Sequence, residues 1–299
     1  MQNLLKSLAI TIVAYAIGHY FGGSWVAGIP TGMIAFTASY FIFARNSMNR
    51  LTEITKEAMQ IVQDAQSSQN PDAMLKGIEQ GVKRFERALD LQKEQFLIAE
   101  IVHAQIGTLI YQGAALQLQV KMQYEMQNNR TAVQKSIKKA EELFAQAKFH
   151  LQKAHSHDWV LQIVRNWQGM GMLAAMEFRD GEQELALTHM DKCKGIGKDD
   201  PLFWISYAWM LKEAGKSTDA LLAANDGLSK NPSNAGLQHL SDAIANQKVI
   251  EPIQFGMMWF SIFPEQLTVD IAMKLQSQMG GEQPQMNRQM RRAMKKKGY

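Results

Sequence analysis

Residues 201–234 read PLFWISYAWMLKEAGKSTDALLAANDGLSKNPSN, and this stretch decides the fold. Asp200-Pro201 opens a helix, Gly215 ends it, and Asn231-Pro232 closes a second one. Apolar residues recur at three- and four-residue steps in both halves, the period of a helix with one buried face. Ala208 and Ala220 are small enough to let two antiparallel helices touch. Gly215 supplies the positive φ that stops the first helix, and Trp204 is large enough to fill the wedge toward a neighbouring hairpin.

A shift of 34 residues superposes Ala174 on Ala208, Gly181 on Gly215, Ala186 on Ala220 and Leu187 on Leu221. A period of this length is the mark of stacked helical hairpins. With Pro201 as first position, the stretch resembles the tetratricopeptide repeat. Trp204 stands on its Trp site, Ala208 and Ala220 on its small-residue sites, Gly215 on its turn glycine and Pro232 on its closing proline. Leu211 and Tyr207 depart from the pattern, Ala224 and Gly227 are weak versions of two packing sites, and residues 167–200 carry Met170 where the Trp is expected. Upstream only fragments such as Ala140 and Phe144 remain. The resemblance implies an all-α solenoid of hairpins that need at least about three units for stability.

Outward from that stretch the chain stays helical in character, with seven prolines in 299 residues and no sustained apolar–polar alternation. Helices are expected at 47–68, 72–92, 93–126, 131–155, 158–179, 182–195, 201–214, 217–230 and 234–247. Their breaks fall at Asn70-Pro71, Asn128-Asn129, Asp180-Gly181, Asp200-Pro201, Gly215 and Asn231-Pro232.

The N-terminal part is different. Residues 7–44 contain no Asp, Glu, Lys or Arg. This run is too long for one span, and Gly22-Gly23 breaks it, so residues 4–20 and 25–43 read as two transmembrane helices in a hairpin, with Tyr20 and Trp25 at the interface. The rival reading is a signal peptide cleaved near Ala14-Tyr15-Ala16, but a second apolar segment follows at once. Lys6 lies at the start of the first helix, Arg45 and Arg50 follow the second, and the turn has no cation. Both termini are therefore expected in the cytoplasm, with the hairpin in a bacterial inner membrane. Ala14, Gly18 and Gly22 on the first helix and Gly28 and Gly32 on the second form small-residue stripes. These either pack the hairpin on itself or dock it on another membrane protein. Pro30 is expected to kink the second helix, and His19 lies near the turn without a partner acid.

The charge is equally uneven. The last 20 residues hold Arg288, Arg291, Arg292, Lys295, Lys296 and Lys297 against one acid, leaving 26 basic and 27 acidic side chains in the rest. After the joint Gly280-Gly281, this basic tail suits anionic lipid or ribosomal RNA, or else serves only as a solvated end. The implied domains are a transmembrane hairpin at 1–45, long hairpins with degenerate repeats at 46–157 and repeats with a capping helix at 158–248. An apolar capping segment at 249–279 and the tail at 280–299 follow.

Catalytic chemistry is hard to find. There is no phosphate loop, dinucleotide fingerprint, nucleophile elbow or metalloprotease His pair, and Gly195-Ile-Gly197 reads as a loop between hairpins. His150, His155, His157 and Asp158 have zinc-ligand chemistry, but 150 and 155 lie about 140° apart on a helix, so polar helix-end residues are the expectation and no metal or cofactor is assigned. His103, among Ile101, Val102 and Ile106, reads as a half-buried packing residue. Cys193 is the only cysteine, so no intrachain disulfide forms.

The family resemblance places a concave groove on the first helix of each hairpin. It maps to Leu202, Ile205, Trp209 and Lys212 in one unit and to Gln168, Gly171, Ala175 and Phe178 in the one before. Such a surface implies capture of an apolar helix or extended peptide. Residues 255–263, FGMMWFSIF, are too short to span a bilayer and too apolar for water, so they must pack on the repeats, on the membrane surface or on a partner, and capping of the repeats or their groove is the expectation. The chain is thus expected to be a membrane-anchored scaffold that holds a protein client, with no enzymatic activity of its own. The alternative is an accessory subunit of a membrane enzyme, transporter or secretion complex docked through the hairpin.

Overall fold

The computed structural model describes residues 1–68, 70–95, 97–156 and 166–278. The described residues are helical and contain no strand, and the chain forms two compact units, residues 1–106 and 107–299.

In the first unit α1 (Gln2–Gly22) and α2 (Trp25–Ser67) form an antiparallel hairpin. The turn is made as the glycines require: Gly23 sits at φ 62°, and the Ser24 hydroxyl accepts the Val26 N–H at 3.2 Å to cap α2. Both helices are long and apolar enough to cross a membrane. Their apolar side chains point outward, Tyr20 and Phe21 being each 82% exposed.

The second helix does not end where its apolar run ends. Instead of a break between 44 and 47, α2 continues for 43 residues, through Pro30 and past Arg45. No glycine or proline occurs between Met33 and Ser67, so nothing in the sequence stops it. Beyond Arg45 it becomes amphipathic and buries Leu51, Ala58 and Val62 against the antiparallel α3 (Pro71–Ala88), which buries Ile78 and Phe85 in return. The crossing is close because position 77 is glycine; a Cβ there would lie 2.2 Å from that of Ala65. Arg84 pairs with Glu57 on the rim.

α3 gives way at Leu89 to a 3₁₀ turn, earlier than expected, and α4 (Ile98–Met126) starts later than expected. The second unit holds the rest of α4, then α5 (Arg130–Ala154), α6 (Trp167–Arg179), α7 (Gln183–Lys192), α8 (Pro201–Glu213), α9 (Ser217–Lys230) and α10 (Ala235–Ala245). A one-turn helix, Lys194–Gly197, separates α7 from α8. Three short 3₁₀ turns between Pro252 and Gln266 lead to α11 (Val269–Gln278).

The 34-residue period recurs in the hydrogen bonds. Asn166, Asp200 and Asn234 each cap a helix through the side-chain oxygen, which accepts the N–H of Gln168, Leu202 and Leu237 at 2.9–3.0 Å. α6, α8 and α10 end in the same six-residue closure: Glu182 N–H to Glu177 C=O, Lys216 to Leu211, and Lys248 to Ala243. The left-handed residue inside each closure is Gly181 (φ 88°), Gly215 (φ 78°) and, in the last, Gln247 (φ 52°). That third helix is two residues shorter than its counterparts, and no second helix packs back along it at the repeat spacing.

Ala174, Ala186, Ala208 and Ala220 are fully buried, as helix contact demands. Trp204 is 5% exposed, donates its indole N–H to the Lys198 carbonyl at 2.8 Å, and leans on Gly227, where a Cβ would meet its own at 2.6 Å. Pro232 follows α9 directly, next to its cap Asn231. Where Met170 stands at the aromatic position, Trp167 supplies the ring from three residues earlier. It covers Gly171, packs on Phe203 at 5.5 Å and donates to Asp200 at 2.8 Å. Ala208→Leu is expected to overpack the α8–α9 contact and to cost about 1–3 kcal/mol, read as a lower melting midpoint of the purified chain.

Candidate functional site

Two surfaces bring the singled-out residues together, one in each unit. In the hairpin, Gly18, Gly28, Gly32 and Gly22 face the opposing helix. A Cβ on Gly18 would lie 2.8 Å from the Thr31 hydroxyl, one on Gly28 2.8 Å from the Tyr15 ring, one on Gly22 2.5 Å from Ala27, and one on Gly32 3.5 Å from Thr11. The stripes are therefore consumed in packing α1 on α2, and Ala14 is half-buried beside them. What the hairpin leaves open is a flanking cleft of about 520 Å³, lined by Leu8, Thr11, Ile12, Tyr15, Met33 and Phe36 among others.

At the open end of the hairpin a buried polar knot ties three segments. Asn3 donates its backbone N–H to the Glu94 carbonyl at 3.1 Å and its side-chain amide to Ser47 Oγ at 2.9 Å. Ser47 in turn donates to the Glu94 carboxylate at 2.9 Å, which Arg50 also grips at 2.7 Å. Partial burial of Glu94 works against its charge, yet the hydrogen bonds from Ser47 and Arg50 and the cations Arg50 and Lys6 hold its carboxyl below the usual range. Asn3 and Ser47 are each 2% exposed, and both are satisfied.

In the second unit the face that carries the mapped groove residues is filled by the chain's own C-terminal residues. Trp209 lies 5.6 Å from Phe178, as a shared groove requires, but Trp259 covers it at 5.3 Å and Phe263 at 4.8 Å. Trp259 and Phe263 stack on each other at 4.2 Å, with Phe255 against Trp259 at 4.9 Å. Trp259 is fully buried and donates its indole N–H to Gln266 at 2.8 Å. Ile205 and Ala175 are buried, and Leu202, Lys212 and Phe178 are half-buried. The groove is thus occupied, because a segment with four aromatic rings in nine residues finds its burial on the nearest aromatic face.

The anchor that the sequence did not reveal is Tyr111 on α4. Its hydroxyl donates to the Ile262 carbonyl at 2.6 Å, and its ring packs edge-on against Phe144 at 5.3 Å. Complete burial holds this phenol well above its ordinary range, so it stays a donor. No pattern distinguishes Tyr111 from other apolar positions of α4.

A second missed feature is a buried pair, Glu177 on α6 and His189 on α7, 2.7 Å apart. The signal was present: Glu177 interrupts an otherwise apolar run, 172–178, at a core position. Nearby His155 has both ring nitrogens buried with no hydrogen-bond partner among the described residues. Burial and, secondarily, His189 lower its pKa to about 4. Its unfolded value is near 6.5, so neutral His155 supports the fold fully above pH 6.5, and that support is lost as pH falls from 6.5 to 4. About 3 kcal/mol should disappear across that window. Unfolding free energies measured between pH 7 and 4 should fall more steeply in the native chain than in His155→Gln.

His157 and Asp158, the rest of that candidate ligand string, lie outside the described residues, as do Gly280-Gly281 and the basic residues Arg288, Arg291, Arg292, Lys295, Lys296 and Lys297. Among the described residues no cluster of three His, Cys, Asp or Glu side chains is arranged to hold a metal ion. His103 is half-buried. Cys193 is fully buried, and burial pushes its thiol up to about 12, far from a nucleophile's range. No family model, curated protein or solved structure matches the chain.

Proposed function

We propose that this chain is a scaffold anchored in a bacterial inner membrane, with both termini in the cytoplasm, that holds a protein client on a helical array of tetratricopeptide-repeat type. The observation that carries the reading is α2. One uninterrupted helix is lipid-compatible over its first half and forms a helical hairpin with α3 over its second. The recurring caps and closures of α6, α8 and α10 support the repeat assignment. Lys6, Arg45 and Arg50 support the orientation. Because residues 252–266 fill the concave face, a client that binds there must take the place of Trp259 and Phe263.

Reporter fusions at Gly23 and Gly281 test the orientation, with Gly23 expected outside and Gly281 inside. An outside signal at Gly281 removes the cytoplasmic client. A pull-down from solubilised membranes, with and without residues 1–45, tests the role. A stoichiometric partner retained without the hairpin supports the scaffold.

The second reading, an accessory subunit of a membrane complex, is favoured by the cleft that α1 and α2 leave open. It predicts that the partner is lost with the hairpin.

A further inference from the structure

α7 and α9 flank a groove of about 500 Å³ over α8, separate from the filled aromatic face. Its rims are acidic. Glu184 and Asp191 stand on the α7 side, and Asp219 and Asp226, two turns apart, on α9. Its floor is apolar, with Leu187, Leu211 and Tyr207 each buried to 6% exposure or less. Two cations reach into it, and both are engaged with the α7 rim: Lys216 pairs with Glu184 at 2.9 Å and Lys194 with Asp191 at 2.6 Å. Tyr207 also donates to Asp191, at 3.1 Å. Asp219 and Asp226 have no ion partner among the described residues. Between them Leu222 points outward, 59% exposed, on the same side of α9.

A ligand for this groove must place cations along the α9 rim and an apolar group against Leu222 and the floor. The chain carries such a segment. Its last residues, QPQMNRQMRRAMKKKGY, hold six cations, with Met286, Met290 and Met294 repeating at four-residue steps among them. We propose that the groove between α7 and α9 receives the chain's own basic arm, residues 284–299. Five residues lie between α11 and the arm and sixteen form the arm itself, each able to span about 3.3 Å. Tethering raises the arm's effective concentration to the order of millimolar, so weak rim pairs are enough to keep the groove occupied. While it is occupied, the arm's charge is withheld from anionic lipid or RNA.

The test uses the whole chain in neutral detergent, a chain ending at Gln278, and a fluorescent peptide of residues 284–299. The chain ending at Gln278 is expected to bind the peptide, and the whole chain about tenfold more weakly, because its own arm competes. Asp219→Lys with Asp226→Lys in the shortened chain should weaken binding by about tenfold or more, and added salt should weaken it further. Asp226 is exposed within α9, so Asp226→Lys alone should keep the melting midpoint, whereas Asp219→Lys opposes the helix dipole in the first turn of α9 and should lower it slightly. Leu222→Ser gives a second variant, which removes the exposed apolar contact without changing the charge and should weaken binding by severalfold. Equal binding by the whole and shortened chains overturns the proposal, as does binding indifferent to the charge reversal. So does a peptide that binds anionic vesicles or RNA but not the shortened chain. None of these outcomes bears on the scaffold reading, which rests on the membrane pull-down.

Discussion

Trp259→Ala should lower the stability of the second unit by about 3–5 kcal/mol, the cost of removing a fully buried Trp from a packed core. The side chain stacks on Phe263, covers Trp209 and satisfies its indole through Gln266, so its loss leaves a cavity that three aromatic neighbours cannot close without moving. The helical signal of the purified chain, followed through a denaturant titration, is the measurement. If the midpoint does not move, residues 252–266 are a detachable cover and the aromatic face remains available to a client. If it moves as expected, the segment belongs to the core, and the search for a client surface shifts to the α7–α9 side or to the hairpin. The same change should also red-shift the chain's tryptophan emission, since Trp209 loses its cover.

The second large effect is expected at Trp204, where alanine should likewise cost about 3–5 kcal/mol. Trp204 is 5% exposed, fills the space over Gly227, and bonds the carbonyl of Lys198 in the connection that precedes α8. Its removal should therefore loosen both the α8–α9 contact and the entry to α8. A melt of the variant that superposes on the native curve would falsify the 34-residue register, because that register is what puts a large ring at 204 opposite a missing side chain at 227.

Much of the helical layout was legible because its constraints are local. A buried alanine at 174, 186, 208 or 220 and a left-handed glycine at 181 or 215 announce helix contact and helix end within a single turn of chain. The third closure escaped notice because Gln247 does there what glycine does in the other two. The continuation of α2 past Arg45 was not legible either. A change from apolar to amphipathic composition alters what surrounds a helix but gives the backbone no reason to stop.

The occupied face shows a different limit. Composition requires residues 255–263 to be buried but does not say against what. The answer involves Tyr111, Phe178 and Trp209, which are scattered over about a hundred residues and share no period. Glu177 and His189 were missed for a related reason. A buried acid is intelligible only once its partner twelve residues away is known to face it.

The unbroken α2 has a mechanical consequence. A 43-residue helix is roughly 65 Å long, about twice the hydrocarbon thickness of a bilayer, and α2 contains no hinge at the point where its surroundings change. Such a rod transmits twist as well as height. Each residue added near Arg45 would turn the α3-facing stripe by about 100° and lift it by about 1.5 Å. One inserted alanine should thus swing Leu51, Ala58 and Val62, with α3 still packed on them, by about 100° relative to α1, whereas an insertion of seven residues, nearly two full turns, should restore the azimuth and change only the reach. Any rotation of the hairpin would pass along α2 as torque to α3 and to the Glu94 knot, without slack.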